Sequence, residues 1–185
     1  MKTKMELKDV FAGASTLMYQ SEAVNLSSEG EGAVLNPEYE LPVTVDTLQV
    51  SQEDATINHY KIIGLDGDWT STATLGDMTV AFTVPTKATD VLKLAFGDDA
   101  VEENVKASLN GTGYTGTTLK MKKHKITGCF IIENEEGDQL MILNNIAMWA
   151  TVVWDNTSTE PVAVKFNGTL EVGDAESYAW LKKNA

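Results

Sequence analysis

The stretch KITGCFIIENEEGDQLMILNNIAMWATVVW, residues 125–154, decides the fold class. It contains two apolar runs, rich in β-branched and aromatic side chains, on either side of the polar turn Glu135–Asp138. Runs of this kind around a turn that contains glycine are typical of a β-hairpin. We therefore predict two antiparallel strands here, the second of which runs from Gln139 to Trp154.

Outward from this hairpin, other segments also alternate apolar and polar residues. Val43–Val50 and Thr56–Ile63 show this pattern on either side of an acidic turn, which predicts an antiparallel pair. A second hairpin is predicted from WTSTATL (69–75) and MTVAFTV (78–84), which Gly76-Asp77 joins. VAVKFNGTLEV, residues 162–172, is the last predicted strand.

Helical character is confined to short segments. In DVLKLAF, residues 90–96, the apolar side chains recur at about one helical turn, Asp90 lies in the first turn, and Gly97 can end the helix. Residues 100–109 fit a helix or a loop equally well, and ESYAWLKK (176–183) fits one or two amphipathic helical turns.

Two polar stretches predict surface loops: Gln20–Glu40, which is acidic, and Leu109–Thr118, which is rich in Gly and Thr. The chain has 21 Thr and 16 Val, a β-branched excess that favours strands. We therefore predict one domain over residues 1–185, a mainly β, antiparallel β-sandwich or barrel with one flanking α-helix. Residues 20–40 would form a long N-terminal loop or arm.

The charge of the chain excludes several classes of partner. It carries 27 acidic residues against 14 basic ones, all of them Lys, for a net charge of −13. Proteins that grip nucleic acid neutralise phosphates with Lys and Arg, and an acidic chain without Arg repels phosphate instead. The same charge disfavours an anionic membrane surface.

The single cysteine, Cys129, allows neither an intramolecular disulfide nor a multi-cysteine zinc site. Near the N-terminus, Glu6, Lys8 and Asp9 interrupt the segment where a signal peptide would be apolar. No window of about 18 apolar residues predicts a membrane span. We expect folding in the cytoplasm and no membrane partner.

Several motifs match the residue pattern of catalytic or ligand-binding sites but not the structural context that such sites need. Gly111–Gly116 matches GxGxxG, but neither a preceding strand nor a following helix is predicted around it. Asp66–Asp77 begins like a calcium loop but has Ser71 where glycine is needed. His59, His124 and Cys129 form no nucleophile-and-base pattern. We predict no enzyme, catalytic residue, cofactor or metal, although two converging carboxylates of a glycosidase remain an alternative.

The positive charge is concentrated in KMKKHK, residues 120–125. As a strand, it would carry lysines on both faces. One interpretation is an edge strand that lysines protect from aggregation. The other, equally favoured, is an inter-subunit contact in which Lys120, Lys122, Lys123 and Lys125 dock on an acidic surface of a neighbouring copy.

With PVTVDTLQVSQEDATINHYKIIG (42–64) and MTVAFTVPTKATDVLKLAFG (78–97), the order of elements resembles the major tail tube proteins of long-tailed bacteriophages. The similarity extends over Val43–Leu170. It implies a β-sandwich with a flanking helix that assembles into stacked hexameric rings within the virion tail. It also implies contacts with other tail proteins and an acidic lumen, lined by one strand pair per subunit, through which DNA slides without specific binding. The loop at 20–40 would reach an adjacent subunit or ring.

Two alternatives remain. One is the same fold in the tube of a bacterial contractile injection system. The other is a monomeric β-sandwich that binds carbohydrate or acts as an adhesin, with exposed tryptophans stacking on sugar rings. Trp149 and Trp154 lie in the apolar run AMWATVVW, so we expect them in the core.

Overall fold

The computed structural model describes residues 9–26, 33–44, 46–155, 161–173 and 178–184. Over these residues the chain is mainly β, with one α-helix, as predicted. In chain order its elements are β1 (Thr16–Gln20), β2 (Tyr39–Leu41), β3 (Gln49–Gln52), β4 (Thr56–Tyr60), β5 (Thr70–Thr74), β6 (Met78–Val84), α1 (Thr89–Phe96), a 3-10 turn (Asp98–Ala100), β7 (Val101–Leu109), β8 (Thr112–Leu119), β9 (Cys129–Glu133), β10 (Gln139–Leu143), β11 (Ile146–Val153), β12 (Ala163–Leu170) and β13 (Tyr178–Lys182).

Two antiparallel sheets form the body of the protein. One has five strands in the order β13-β10-β9-β1-β2, and the other has four in the order β11-β12-β6-β3. Their facing side chains share one core, in which Phe82 of β6 meets Phe130 of β9 edge to face at 5.1 Å and stacks on Phe166 of β12 at 4.8 Å. This arrangement is sandwich-like, and burial of these aromatic side chains contributes to its stability.

The hairpin predicted from the decisive stretch is confirmed as β9 and β10, but its second run is two strands. The extended run is interrupted at Asn144 and Asn145. Asn145 has φ of 52°, a left-handed conformation that Asn adopts more readily than most residues. After this break β11 pairs with β12 in the other sheet. The apolar run is long because it contributes to both layers of the core.

The predicted helix is confirmed as α1. It buries Val91, Leu92, Ala95 and Phe96 against the core, whereas Asp90 is exposed. Gly97 follows with φ of 91°, and its N–H donates to the Lys93 carbonyl at 2.8 Å. A glycine is favoured there because residues with a Cβ rarely adopt that conformation.

The two N-terminal pairings predicted from alternation are wrong. β3 pairs with β6, and β4 pairs with β5, so neither Val43–Val50 with Thr56–Ile63 nor 69–75 with 78–84 is a hairpin. The strand at Val43–Val50 begins only at Gln49; Val45 lies outside the described residues. Alternation correctly marked much of the extended chain, but it carries no information on which strands are neighbours.

Three other segments also differ from expectation. Of residues 100–109, Ala100 ends the 3-10 turn and 101–109 form strand β7 rather than a helix or a loop. Residues 112–118 of the predicted loop belong to its partner β8. The two join at Asn110 and Gly111, both with positive φ, which is a two-residue hairpin turn. At the C-terminus, residues 178–182 of the segment 176–183 form strand β13 rather than a helix, and 176–177 lie outside the described residues.

The predicted loop at 20–40 is largely irregular in its described part, while 27–32 lie outside it. It contributes core residues, contrary to expectation. Val24 is 3% exposed and packs on the outer face of the five-stranded sheet, against Cys129, Ile131 and Ile142. The loop thus covers the second face of that sheet with a small apolar layer.

Candidate interaction surfaces

The lysine segment, residues 120–125, is not a strand. It connects β8 to β9 as irregular chain, so the interpretation of a lysine-protected edge strand is wrong. At its end, Ile126 exchanges two backbone hydrogen bonds with Met148 of β11, of 2.8 and 3.1 Å. The Ile146 N–H also donates to the Gly128 carbonyl at 3.2 Å, so residues 126–128 lie beside the beginning of β11 and the lysine segment ends there.

Two of the four candidate contact lysines form ion pairs within the chain. Lys122 contacts Asp99, and Lys125 contacts both carboxylate oxygens of Glu171 at 2.7 and 2.8 Å. Lys120 and Lys123 are exposed and form no ion pair with a described residue. An inter-subunit role for the segment would rest most directly on these two.

The edge of β11 beyond Met148 is open. Because Met148 directs its backbone groups away from β12, the backbone groups of Ala150 and Val152 point the same way, and no strand of the described chain pairs with them. Residues 146–154 carry no charge, and Val152 and Val153 are exposed. Natural proteins usually protect such an edge with charge or cover, so this edge is a surface that favours strand pairing.

Trp149 and Trp154 are 46% and 63% exposed, which corrects the expectation that they lie in the core. Trp149 alternates with the buried Met148 and therefore lies on the outer face of the four-stranded sheet, while Trp154 follows the end of β11. That outer face is otherwise mostly Thr, Ser and Ala, and its one charged side chain in the described strands is Lys165. The remaining tryptophans, Trp69 and Trp180, are also exposed.

A long two-stranded ribbon runs out of the four-stranded sheet. Gln52 pairs with Met78, and four residues further along each chain Thr56 pairs with Thr74. The register is unchanged across the interruption, where the Glu53 N–H donates to the Asp77 carbonyl at 3.0 Å. Strands β4 and β5 are thus an extension of β3 and β6. We call residues 56–74 the arm; it is a different segment from the N-terminal loop at 20–40.

Every strand residue of the arm is exposed on both faces. The connection between its strands, residues 61–69, carries several exposed apolar side chains, and we call it the tip: Ile62, Ile63, Leu65 and Trp69. An isolated two-stranded hairpin is at best marginally stable in water. The arm therefore has apolar surface that the described chain does not cover.

An open groove of about 480 Å³ lies at one end of the sandwich. Its walls come from β1 and the chain before it, from β2, β9 and β10, and from β3 and the chain before it. Its larger apolar lining residues are Phe11, Leu17, Leu41, Val43, Leu48, Val50, Ile132 and Met141. The charged residues at this groove are Asp46 and Glu135, both acidic. We call it the sheet-end groove.

The candidate catalytic residues lie on separate elements. His59 is on the arm, where its Nδ1 contacts Asp68; His124 is half-buried in the lysine segment; and Cys129 is buried in β9. Burial raises the pKa of the Cys129 thiol to about 11. The Cys129 thiolate is therefore scarce at neutral pH, whereas nucleophilic cysteines need a lowered pKa.

The letter motifs for ligand loops fall in turns and strands. Gly111 is in the β7–β8 turn, and Gly113 and Gly116 are in strand β8, so this GxGxxG does not open a helix as a dinucleotide site requires. Asp66 and Asp68 belong to the arm tip. In the part of the chain that the structure describes, no three His, Cys, Asp or Glu side chains converge as metal ligands, and no helix is long and apolar enough to cross a bilayer.

The arm and the groove are the surfaces that sequence reasoning missed. The run Ile62-Ile63 beside Gly64 was a visible signal, since exposed aliphatic residues next to a turn glycine are unusual in a loop. The alternating pattern instead predicts both isoleucines at the end of the strand Thr56–Ile63. The groove had no signal in the sequence, because distant segments line it.

Comparisons with family models and with curated proteins identify no relative of this chain. No family model matches the chain, and no curated protein is significantly similar to it in sequence.

Proposed function

We propose that this chain is a structural subunit that self-associates into stacked hexameric rings and so forms the tail tube of a bacteriophage. The observation that carries the proposal is the open, uncharged edge of β11. An edge of this kind offers a row of backbone donors and acceptors to another strand, and the exposed Val152 and Val153 would gain burial when it is covered.

The four-stranded sheet supports closure into a ring. It ends on β11 at one side and on β3 at the other. Pairing of β11 in one copy with β3 in the next joins two different surfaces. Such head-to-tail contacts close into a ring when the rotation per subunit divides the full turn.

The charge of the chain supports passage of DNA without specific binding. A net charge of −13 with no Arg offers little to neutralise phosphates, so a tube of such subunits would not hold the DNA that passes through it. The resemblance implies an acidic lumen. The outer face of the four-stranded sheet is nearly uncharged, so other surfaces would have to supply the acid.

Sedimentation and negative-stain microscopy of the full chain over a range of protein concentrations test the proposal. We expect rings or tubes in the wild type. Val152→Lys places a charge at the open edge and should abolish them with the fold intact, whereas Val152→Thr keeps the β-branched shape and should still assemble. A wild type that stays monomeric at every concentration and salt contradicts the proposal.

A tube of a bacterial contractile injection system would make the same contacts. The genes beside the coding sequence distinguish the two, since a very long tape-measure reading frame is expected in a phage.

A monomeric carbohydrate-binding module is a second candidate because all four tryptophans are exposed. Exposed indole rings are the side chains that stack on sugars. Binding to a glycan array by the monomer, lost in Trp149→Ala or Trp69→Ala, would favour this function over the tube.

A further inference from the structure

The tip of the arm has apolar side chains that its own chain leaves in water. Ile63 is fully exposed, and Ile62 and Leu65 are about half exposed. Single exposed aliphatic residues are common on protein surfaces, but several together at the end of an extended ribbon are not. This concentration indicates a contact with another molecule.

The sheet-end groove is chemically complementary to this tip. Its floor is aliphatic, and its charged residues Asp46 and Glu135 are acidic. At the tip, Lys61 directly precedes Ile62 and Ile63. Entry of the two isoleucines would bring a lysine to a rim that bears carboxylates, which favours this orientation of the contact.

The acids of the tip are placed further along the loop. Asp66 follows Leu65, and Asp68 contacts His59 on the stem of the arm. The part of the tip that contains Lys61 is therefore the part whose charge is opposite to that of the acidic groove rim.

The tip and the groove lie at opposite ends of one ribbon. Leu48 lines the groove just before β3, and the chain then runs outward through β3 and β4 to Lys61. Val50, in β3, is the groove residue nearest to Lys61 along this path, and eleven residues at about 3.3 Å each separate the two by roughly 35 Å. The tip of a copy therefore cannot enter its own groove while the ribbon is formed, but the tip of a second copy can.

We propose that the arm tip of one copy inserts Ile62 and Ile63 into the sheet-end groove of a second copy of this chain, so that copies join head to tail. The contact deepens the proposed self-assembly and rests on it. Each copy then has one tip to give and one groove to receive, an arrangement that extends from copy to copy.

A pair of cysteines tests the contact directly. Ile63→Cys places a thiol at the tip, and Ala14→Cys places one at the exposed rim of the groove. Under mild oxidation, the full chain with both substitutions should give a ladder of disulfide-linked multimers on a non-reducing gel. The matched control combines Ile63→Cys with Ser108→Cys, an exposed site on β7 away from the groove, and should give no ladder.

A second variant keeps the test independent of disulfide chemistry. Ile63→Asp introduces a charge where the groove is apolar and acidic, and the site is fully exposed in the free chain, so the fold should be unaffected. We expect the concentration needed for assembly to rise roughly 10- to 100-fold, the loss expected for burial of one isoleucine. Val172→Asp, at another fully exposed aliphatic site, is the matched control and should assemble like the wild type.

The outcomes separate this contact from the proposed function. Rings or tubes that form equally well with Ile63→Asp, together with no ladder from the tip-and-groove pair, would overturn the contact and leave the tube intact. A ladder from a protein that forms no rings or tubes would support the contact and count against the tube. Absence of both assembly and ladder at high protein concentration contradicts both.

Discussion

The side-chain amide of Asn144 forms two hydrogen bonds with the backbone of Val24. The Val24 N–H donates to Asn144 Oδ1 and Asn144 Nδ2 donates to the Val24 carbonyl, each at 2.9 Å. Asn144 is completely buried at the break between β10 and β11. The irregular N-terminal loop is therefore fixed to the sandwich at the residue where the chain changes sheets.

Replacing this amide should destabilise the fold. Asn144→Leu has similar volume but leaves the buried N–H and C=O of Val24 without partners, each of which costs about 1–3 kcal/mol. We expect the free energy of unfolding to fall by roughly 2–6 kcal/mol. Urea denaturation followed by circular dichroism measures it. Asn167→Leu, on the exposed face of β12, is the control and should change it by less than about 0.5 kcal/mol.

The Cys129 thiol should be unreactive in the folded protein. It is buried in β9 and burial raises its pKa to about 11, so both access and ionisation are suppressed. A thiol-specific reagent at mildly alkaline pH should label it only after denaturant unfolds the chain. Ser15→Cys adds an exposed thiol and is the control for reagent activity. Rapid labelling of the native wild type would contradict the burial of Cys129.

The carboxyl of Asp99 should titrate below its ordinary range. The hydrogen bond from Lys122 lowers its pKa, and the charge of Lys122 acts in the same direction. A lowered folded-state pKa stabilises the fold above the pKa of the unfolded chain, and this contribution is lost as pH falls through the folded-state value. NMR titration of the Asp99 carboxyl should show its pKa rise in Lys122→Gln. Lys120→Gln is the control and should leave it unchanged.

The lysines can be separated by their role in assembly. Lys120 and Lys123 have no ion pair among the described residues, so Lys120→Glu with Lys123→Glu reverses their charge without breaking an ion pair of the described chain. If the segment docks on acid from another copy, this variant should fail to assemble, and wild-type assembly should weaken with added salt. Sedimentation across a salt series measures both.

The comparison variant changes Lys122 and Lys125 to Glu. It breaks contacts within the chain and should lower stability more than the first variant does, which circular dichroism detects. Folded Lys120→Glu/Lys123→Glu protein that assembles like the wild type would show that the segment is only a solvated surface.

The sequence predicted the elements whose signals are local. The β9–β10 hairpin has its turn between two strong apolar runs, and α1 has an acidic first turn and a terminal glycine. The β7–β8 hairpin also had a local signal, the dipeptide Asn110-Gly111, which is the strongest short indicator of a two-residue turn. This hairpin is absent from the predicted elements because its flanking residues do not alternate clearly.

The features that the sequence could not predict depend on contacts between residues far apart in the chain. β3 pairs with β6 rather than with the neighbouring alternating segment because the chain between them leaves the sheet and returns as the arm. Trp149 and Met148 are adjacent in one apolar run, and only the second sheet decides which of them is covered. The groove depends on segments more than a hundred residues apart, so no local pattern encodes it.

The single register that joins β3–β6 to β4–β5 also makes the length of the arm adjustable. Two residues added to each strand beyond Thr56 and Thr74 would move the tip outward by about 7 Å, with every side chain still on its original face. One residue added to each strand would exchange the two faces of the distal ribbon instead. If copies join through the tip as proposed, the spacing between them would change in discrete steps while the sandwich keeps the same sequence and packing.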